Sequence, residues 1–366
     1  MNAQTKTALF FIIVVGAVLR VWQVGFQCLW LEEAYTLNIA ALPWKEIISA
    51  SILSDCNPPV YYLLAHVSEM IFQYDLYAVR YPSVVAGILL IPAMYLLGRE
   101  YKDELSGVFC SGITAILFPL VYYSQYARAY SLSLLCFSVA LIFYIRVSRN
   151  PTRRDEICFW VLVALNAWVH LFSLIPLGLI ALDLIMQKPW PRIGHAFATT
   201  LVCAPLAWML LAVVKTRAIA TGTNYGYDPL MMILITPGEL FGVLFVLVAA
   251  AVLVSLKVMK DDLHVKLFVV GFVTIATGIS LSLFTPFFPR YYLTMALVGI
   301  LLASPFIVWV AEAIGEICDN IVNHRGSDGS AFETIAILVI VGIIVLCLAL
   351  QYGDFLTYYT VQKYLC

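Results

Sequence analysis

The chain has 366 residues, of which 63% are hydrophobic and only 12% charged, and its mean hydropathy is +0.94. That composition excludes a soluble globular domain and predicts a polytopic membrane protein. A net charge of -1 offers no basic surface for nucleic acid, and no nucleic-acid-binding motif is present.

Taken in chain order, apolar segments long enough to cross about 30 Å of hydrocarbon run over residues 6–22, 82–98, 105–122, 130–147, 157–171, 172–187, 196–214, 230–256, 266–284, 291–311 and 333–352. They predict an all-α, single-domain chain over residues 1–366 with about 11 transmembrane helices. The first segment lacks a small-residue cleavage site before Cys28, so it reads as a retained span rather than a signal peptide.

Residues 58–72 are short for a span and carry His66 and Glu69, so hydropathy leaves their crossing open. The distribution of Lys and Arg, which favour cytoplasmic loops, decides it. With 58–72 not crossing and the N-terminus inside, the inner side holds Lys6, Arg99, Lys102, Arg146, Arg149, Arg153, Arg154, Lys188, Arg192, Lys257, Lys260, Lys266 and Arg325, 13 of the 21 basic residues. If the segment crosses, the Arg146 to Arg154 cluster turns outward. Residues 58–72 are therefore expected to form an interfacial or re-entrant helix begun by proline. Residues 23–81 become one long outer-face loop with interfacial helices. Residues 312–332 are expected to be a cytoplasmic connector, with Gly326 to Ser330 its linker-like end. Most of the nine cysteines lie in apolar runs. Only Cys28 and Cys56 share the outer loop and could pair, though nothing in the sequence brings them within bonding geometry.

On this topology the scarce polar residues gather at the outer face: Glu32, Glu33, Asp55, Asn57, Arg80, Arg128, His170, Lys215, Arg217, Asp228, Glu239, Arg290 and Tyr291. Glu32 and Glu33, flanked by Trp30, Leu31 and Tyr35, are candidate catalytic carboxylates. Partial desolvation suits such an acid to the work of a general base toward a hydroxyl, although surface carboxylates usually only cap helices and face water. Arg80, Arg128 and Arg290 each sit beside aromatic or small residues at the outer end of a span. Guanidinium forks suit a phosphate held near lipid headgroups, while a lone interfacial arginine often merely snorkels. His170 closes a span, Glu239 follows Pro237-Gly238 just inside another, and Asn57 precedes Pro58-Pro59, where it could simply cap a helix.

Together these motifs resemble the GT-C glycosyltransferases that use lipid-linked sugars, of the type containing protein O-mannosyltransferases and lipid A aminoarabinose transferases. The resemblance rests on Arg20 at the end of the first span, Trp30-Leu31-Glu32-Glu33-Ala34-Tyr35-Thr36, Asp55-Cys56-Asn57-Pro58-Pro59 followed by Tyr61-Tyr62, Arg80-Tyr81-Pro82-Ser83, Tyr122 to Tyr130 with Arg128, His170, and Arg290-Tyr291. It covers residues 8 to about 175 and thins beyond them.

What it implies is an inverting transfer, on the outer membrane face, from a polyprenyl-phosphate sugar to an acceptor hydroxyl. Glu32 would be the base, at a position where the family carries the shorter Asp. Arg80, Arg128, Arg290, Tyr291 and Asn57 would bind the donor phosphate, Asn57 standing where the family often has His or Lys. His170, Tyr35, Tyr61 and Glu239 would line the substrate pocket. The donor, an acceptor (glycan, lipid or protein) and membrane lipids are the expected partners. No cofactor is implied; no metal constellation is visible, though an acid pair could hold a divalent ion. The alternative reading is a transporter or flippase of lipid-linked sugars, which calls for polar groups near the bilayer midplane rather than at one face.

Overall fold

The computed structural model describes residues 3–73, 77–220, 229–259, 261–283, 288–322 and 330–360. The side chains of Lys215 and Arg217, and residues Asp228, Lys260 and Arg325, lie outside what is described, as does most of the Gly326 to Ser330 linker.

Helix α1 (Ala3–Val21) is followed by three short helices, α2 (Leu31–Ala40), α3 (Trp44–Asp55) and α4 (Val60–Ile71). Then come α5 (Tyr81–Tyr101), α6 (Glu104–Ile116), α7 (Phe118–Ser124), α8 (Tyr130–Arg149), α9 (Arg153–Val169), α10 (Leu174–Gln187) and α11 (Pro189–Ala220). The remainder is α12 (Pro229–Phe241), α13 (Phe245–Val258), α14 (Asp262–Leu281), α15 (Leu293–Val322), α16 (Ser330–Leu350) and α17 (Tyr352–Thr360). Each expected span coincides with a helix or a helix pair. By length and apolarity, 6 helices among the described residues suffice to cross a membrane, or 8 if each of two bent pairs is one span. The chain is thus an all-α polytopic membrane protein, with α9, α10 and α11 as the helices that hold the expected count of 11 above that number. Helix α9 opens on four charged residues, and α10 has 14 residues.

Helix α4 has 12 residues and rises about 18 Å, too little to cross. Its polarity is inverted. His66, Ser68 and Glu69 are buried against the protein, while Leu64, Val67, Met70 and Ile71 are exposed, as suits a helix lying at a lipid interface. Cys56 is a free thiol and Cys28 is disulfide-bonded, so the two do not pair with each other. Over residues 312–322 the expected connector is helical and continuous with α15, because Ala311, Ile314 and Ile317 carry the apolar helical period past Glu312 and Glu316.

The core is centred on α5, α6, α8 and α15. Helices α5 and α6 approach backbone to backbone at Gly98, where an added Cβ would stand 2.7 Å from the Ser106 carbonyl oxygen and 2.9 Å from Gly107 Cα; small residues make such approaches possible in membranes.

The expected span 105–122 is broken, α6 and α7 meeting at 60°. Pro119 supplies no N–H to the preceding turn and its ring crowds that turn's carbonyl. The backbone groups this frees are taken up inside the protein. Arg20, fully buried, donates from Nη1 to the Ala115 carbonyl at 2.8 Å and from Nη2 to that of Thr114 at 2.8 Å, and the Phe118 N–H donates to the Gln351 side chain at 2.7 Å. Gln125 then caps the carbonyls of Leu19, Arg20 and Trp22 at the end of α1.

Polar groups collect at the two ends of the bundle. At one end Arg146 pairs with Glu100, Arg149 with Asp261 and Lys266 with Asp183. The other end is capped by α2, α3 and α4.

Candidate active site

The α2 to α4 cap is fastened by one sealed ion pair. Glu33, at 0% exposure, sits at the third position of α2 and accepts from the Trp30 N–H at 3.0 Å, half of a capping box. It also accepts from the Ala127 N–H at 2.8 Å and, bidentately, from Arg80 Nε and Nη2, each at 2.8 Å. The remaining Arg80 donors go to the carbonyls of Val24, Gln27 and Cys28. A guanidinium has five N–H donors, and all are consumed here. Glu33 and Arg80 are expected at a catalytic and a phosphate-binding position; the structure buries both and pairs them with each other.

Glu32, one residue earlier, is turned roughly 100° around the same helix and lines a cavity. Its Oε1 accepts from Arg290 Nη2 at 2.5 Å and its Oε2 from the Tyr126 hydroxyl at 3.2 Å. Burial first, and then the Glu32 charge, push the Tyr126 hydroxyl far above its ordinary pKa, so it stays a donor. Arg290 comes from the short 3-10 turn Pro289–Tyr292 that leads into α15, and its guanidinium lies 4.4 Å over the Phe288 ring.

Arg128 completes the group. Its Nη1 donates to Asp55 at the C-terminus of α3, to the Tyr62 hydroxyl at 3.2 Å and to the Glu32 carbonyl at 3.5 Å. Tyr62 also donates to Asp55, and burial raises its pKa well above the ordinary value, which keeps it protonated.

Glu32, Asn57, Tyr61, Arg128, His170 and Tyr291 line a first cavity of ≈ 50 Å³, together with Tyr62, Tyr130 and Phe172. Arg290 and Glu239 line a second, of ≈ 330 Å³, whose other walls are Phe118, Tyr122, Tyr123 and Phe288. The Tyr123 hydroxyl donates to Glu239 at 3.2 Å. Asn57 is anchored by its amide to the Asp55 carbonyl at 2.8 Å, Tyr61 by its hydroxyl to Val79 and Ser83, and the Tyr291 ring stacks on Phe172 at 4.2 Å. Tyr35 is not brought in: it is 46% exposed and lines neither cavity. Asp55, Tyr62 and Tyr126 are the residues that were not expected at the site. Among the described residues no three His, Cys, Asp or Glu side chains gather as a metal-binding group.

What this arrangement can do chemically is hold a carboxylate and two guanidinium groups within reach of one ligand. They come from positions 96 and 258 residues apart from Glu32.

No family model matches the sequence, and no curated protein matches it. Solved structures do match. ArnT from Cupriavidus metallidurans in the apo state superposes with a TM-score of 0.62 at 12% identity, over 96% of this chain and 71% of that one. The same protein bound to undecaprenyl phosphate gives 0.54 at 11% identity, over 97% and 72%. The archaeal oligosaccharyltransferase AglB from Archaeoglobus fulgidus, in complex with an inhibitory peptide and a dolichol-phosphate, gives 0.55 at 14% identity, over 96% of this chain but 56% of that one. The chain thus spans about seven tenths of ArnT and little more than half of AglB, and the fold it shares with both is the GT-C fold.

Proposed function

We propose that the chain is a membrane glycosyltransferase that moves a sugar from a polyprenyl-phosphate carrier to an acceptor hydroxyl, with inversion, using Glu32 as general base. The observation that carries the reading is the convergence of Glu32 with Arg290 and Arg128 at one end of the bundle. Two fold neighbours captured with polyprenyl phosphates support the donor class.

Glu32 would take the proton of the acceptor hydroxyl as its oxygen attacks the anomeric carbon. The carrier phosphate leaves from the opposite face, and Arg128 and Arg290 neutralise it. With two guanidinium groups at hand this step asks for no metal. Tyr126 holds the base in place. Tyr291, Asn57, His170 and Tyr61 would shape the donor side, and Glu239 a second substrate wall. Arg80 and Glu33 keep the cap closed over α5. The polar groups lie at one end of the bundle rather than at its middle, which favours transfer over transport. The basic residues at the opposite end favour a site on the non-cytoplasmic face.

The test is Glu32→Gln in purified protein, supplied in detergent with a polyprenyl-phosphate sugar. A general base contributes roughly 10²–10⁴-fold, so donor consumption should fall by at least ~100-fold while the protein stays folded. Transfer at a near-normal rate would falsify the base assignment. Movement of intact donor between vesicle leaflets, with no consumption in detergent, would turn the reading toward a flippase.

A further inference from the structure

Arg80, Arg128 and Arg290 are each already held by a carboxylate, but not in the same way. The Arg80–Glu33 pair is bidentate, saturated and sealed. The two pairs that face the cavities are each made through a single guanidinium nitrogen. Arg290 gives Nη2 to one oxygen of Glu32, and its buried Nε has no partner among the described residues. Arg128 reaches Asp55, its anion, the Tyr62 hydroxyl and the Glu32 carbonyl through Nη1. A guanidinium fork is matched by two oxygens of one anion, and neither carboxylate engages its arginine in that way.

Position gives this a consequence. Glu32 lines the ≈ 50 Å³ cavity and Arg290 the ≈ 330 Å³ one, so their ion pair ties the wall of one to the wall of the other. It also blocks the chemistry, because a base bonded to the very cation that must receive the leaving phosphate cannot stand on the opposite side of the anomeric carbon from it.

We propose that Glu32 and Asp55 are place-holding carboxylates, which a phosphate group displaces from Arg290 and Arg128. Seating the phosphate then frees Glu32 to accept a proton and couples base release to donor binding. No covalent bond changes in this exchange: two monodentate ion pairs are replaced by phosphate to guanidinium pairs, and Glu32 keeps its bond from Tyr126. Asp55 is thereby a positioning residue, acting through Arg128. The base-release half rests on the function proposed above, whereas the exchange itself does not.

The exchange makes a prediction that a purely structural ion pair does not: removing a carboxylate tightens anion binding. Asp55→Asn keeps the shape and the acceptor for Tyr62, and should bind farnesyl phosphate about fivefold more tightly than the parent protein by calorimetry in detergent micelles, the gain being of the size of one partly exposed charge pair. Glu32→Gln should tighten binding similarly through Arg290, and carries the test if the Asp55 variant does not fold. Farnesol, which lacks the anion, should bind all three proteins alike. Inorganic phosphate tightening in parallel assigns the effect to the phosphate group alone; tightening confined to farnesyl phosphate assigns it to a lipid-borne phosphate, and either outcome supports the exchange. Farnesyl phosphate binding that is unchanged or weaker in both variants overturns it. Failure of the base reading looks different: there Glu32→Gln would tighten the probe and still transfer sugar.

Discussion

Adjacent glutamates on α2 are expected to fail in opposite ways, and Glu33→Gln is the sharper test. Glu33 has no exposure and accepts four hydrogen bonds, two of them from Arg80, itself 1% exposed. A glutamine there turns an amide donor toward at least one of those donors and leaves the Arg80 charge without its anion. Breaking a buried pair from one side costs about 3–5 kcal/mol. The Glu32–Arg290 pair, with side chains 33% and 23% exposed, is worth roughly 0–1 kcal/mol. Equilibrium unfolding in mixed micelles should therefore show Glu33→Gln strongly destabilised, with activity lost in proportion to the unfolded fraction, and Glu32→Gln stable but inactive. Combining Glu33→Gln with Arg80→Met should cost less than the sum of the two changes, since the second removes the charge the first left stranded. A Glu33→Gln protein as stable as its parent and yet inactive would show that Glu33 does chemistry, and the division of labour drawn here would be wrong.

Three further outcomes are expected. Glu69 on α4 is buried, its Oε2 has no partner among the described residues, and burial raises its pKa above the ordinary 4.5, with nearby His66 opposing. A carboxyl whose folded pKa lies above its unfolded value contributes stability below the unfolded pKa and loses it as pH rises through the folded one. Glu69→Gln should thus match the parent near pH 4 and exceed it increasingly above about 4.5; parallel stability curves across that range would refute this. Gly98→Ala should cost about 1–3 kcal/mol in the same unfolding assay, because its methyl meets the α6 backbone rather than a side chain that can move; a neutral result would mean α5 and α6 are looser than described. Arg20→Met should cost about 1–3 kcal/mol for each α6 carbonyl left without a donor, and Leu in place of Met should not recover it.

The helices were legible because apolar runs of membrane length have few other uses, and the end of the bundle where Glu32, Arg128 and Arg290 converge was legible because charge is scarce and basic residues mark the other end. Individual roles were not. Glu32 and Glu33 are equivalent in composition and flanking; what separates them is a rotation around α2 that puts one on Arg80 and the other on Arg290, and both arginines are distant in sequence. Tyr35 falls on the outward face by the same rotation. Asp55 was read only as part of a loop motif, since nothing local says that the C-terminus of α3 meets Arg128. Helix α17 was missed because its tyrosines and Asp354 dilute its hydropathy, yet Tyr358 packs on Phe118 and Tyr122 beside the second cavity.

The break between α6 and α7 shows why the site stands where it does. Were residues 104–124 one straight helix, its end would run on along the bundle axis, and the Tyr122 to Arg128 segment could not turn across the mouth of the bundle to reach Glu32 and Asp55. Bending the span by 60° leaves polar backbone groups bare where no water is available to satisfy them. A buried arginine from α1 and a glutamine just beyond α16 answer that need. Arg20 is therefore tied to the site without touching it: its hydrogen bonds make the bend tolerable, and the bend delivers Tyr126 and Arg128. The same logic explains why the sealed Glu33–Arg80 pair also bonds the Ala127 N–H. One carboxylate fixes the cap, the start of α5 and the α7–α8 turn to each other, so that Glu32 and Arg128 face the same ligand from two elements that cannot drift apart.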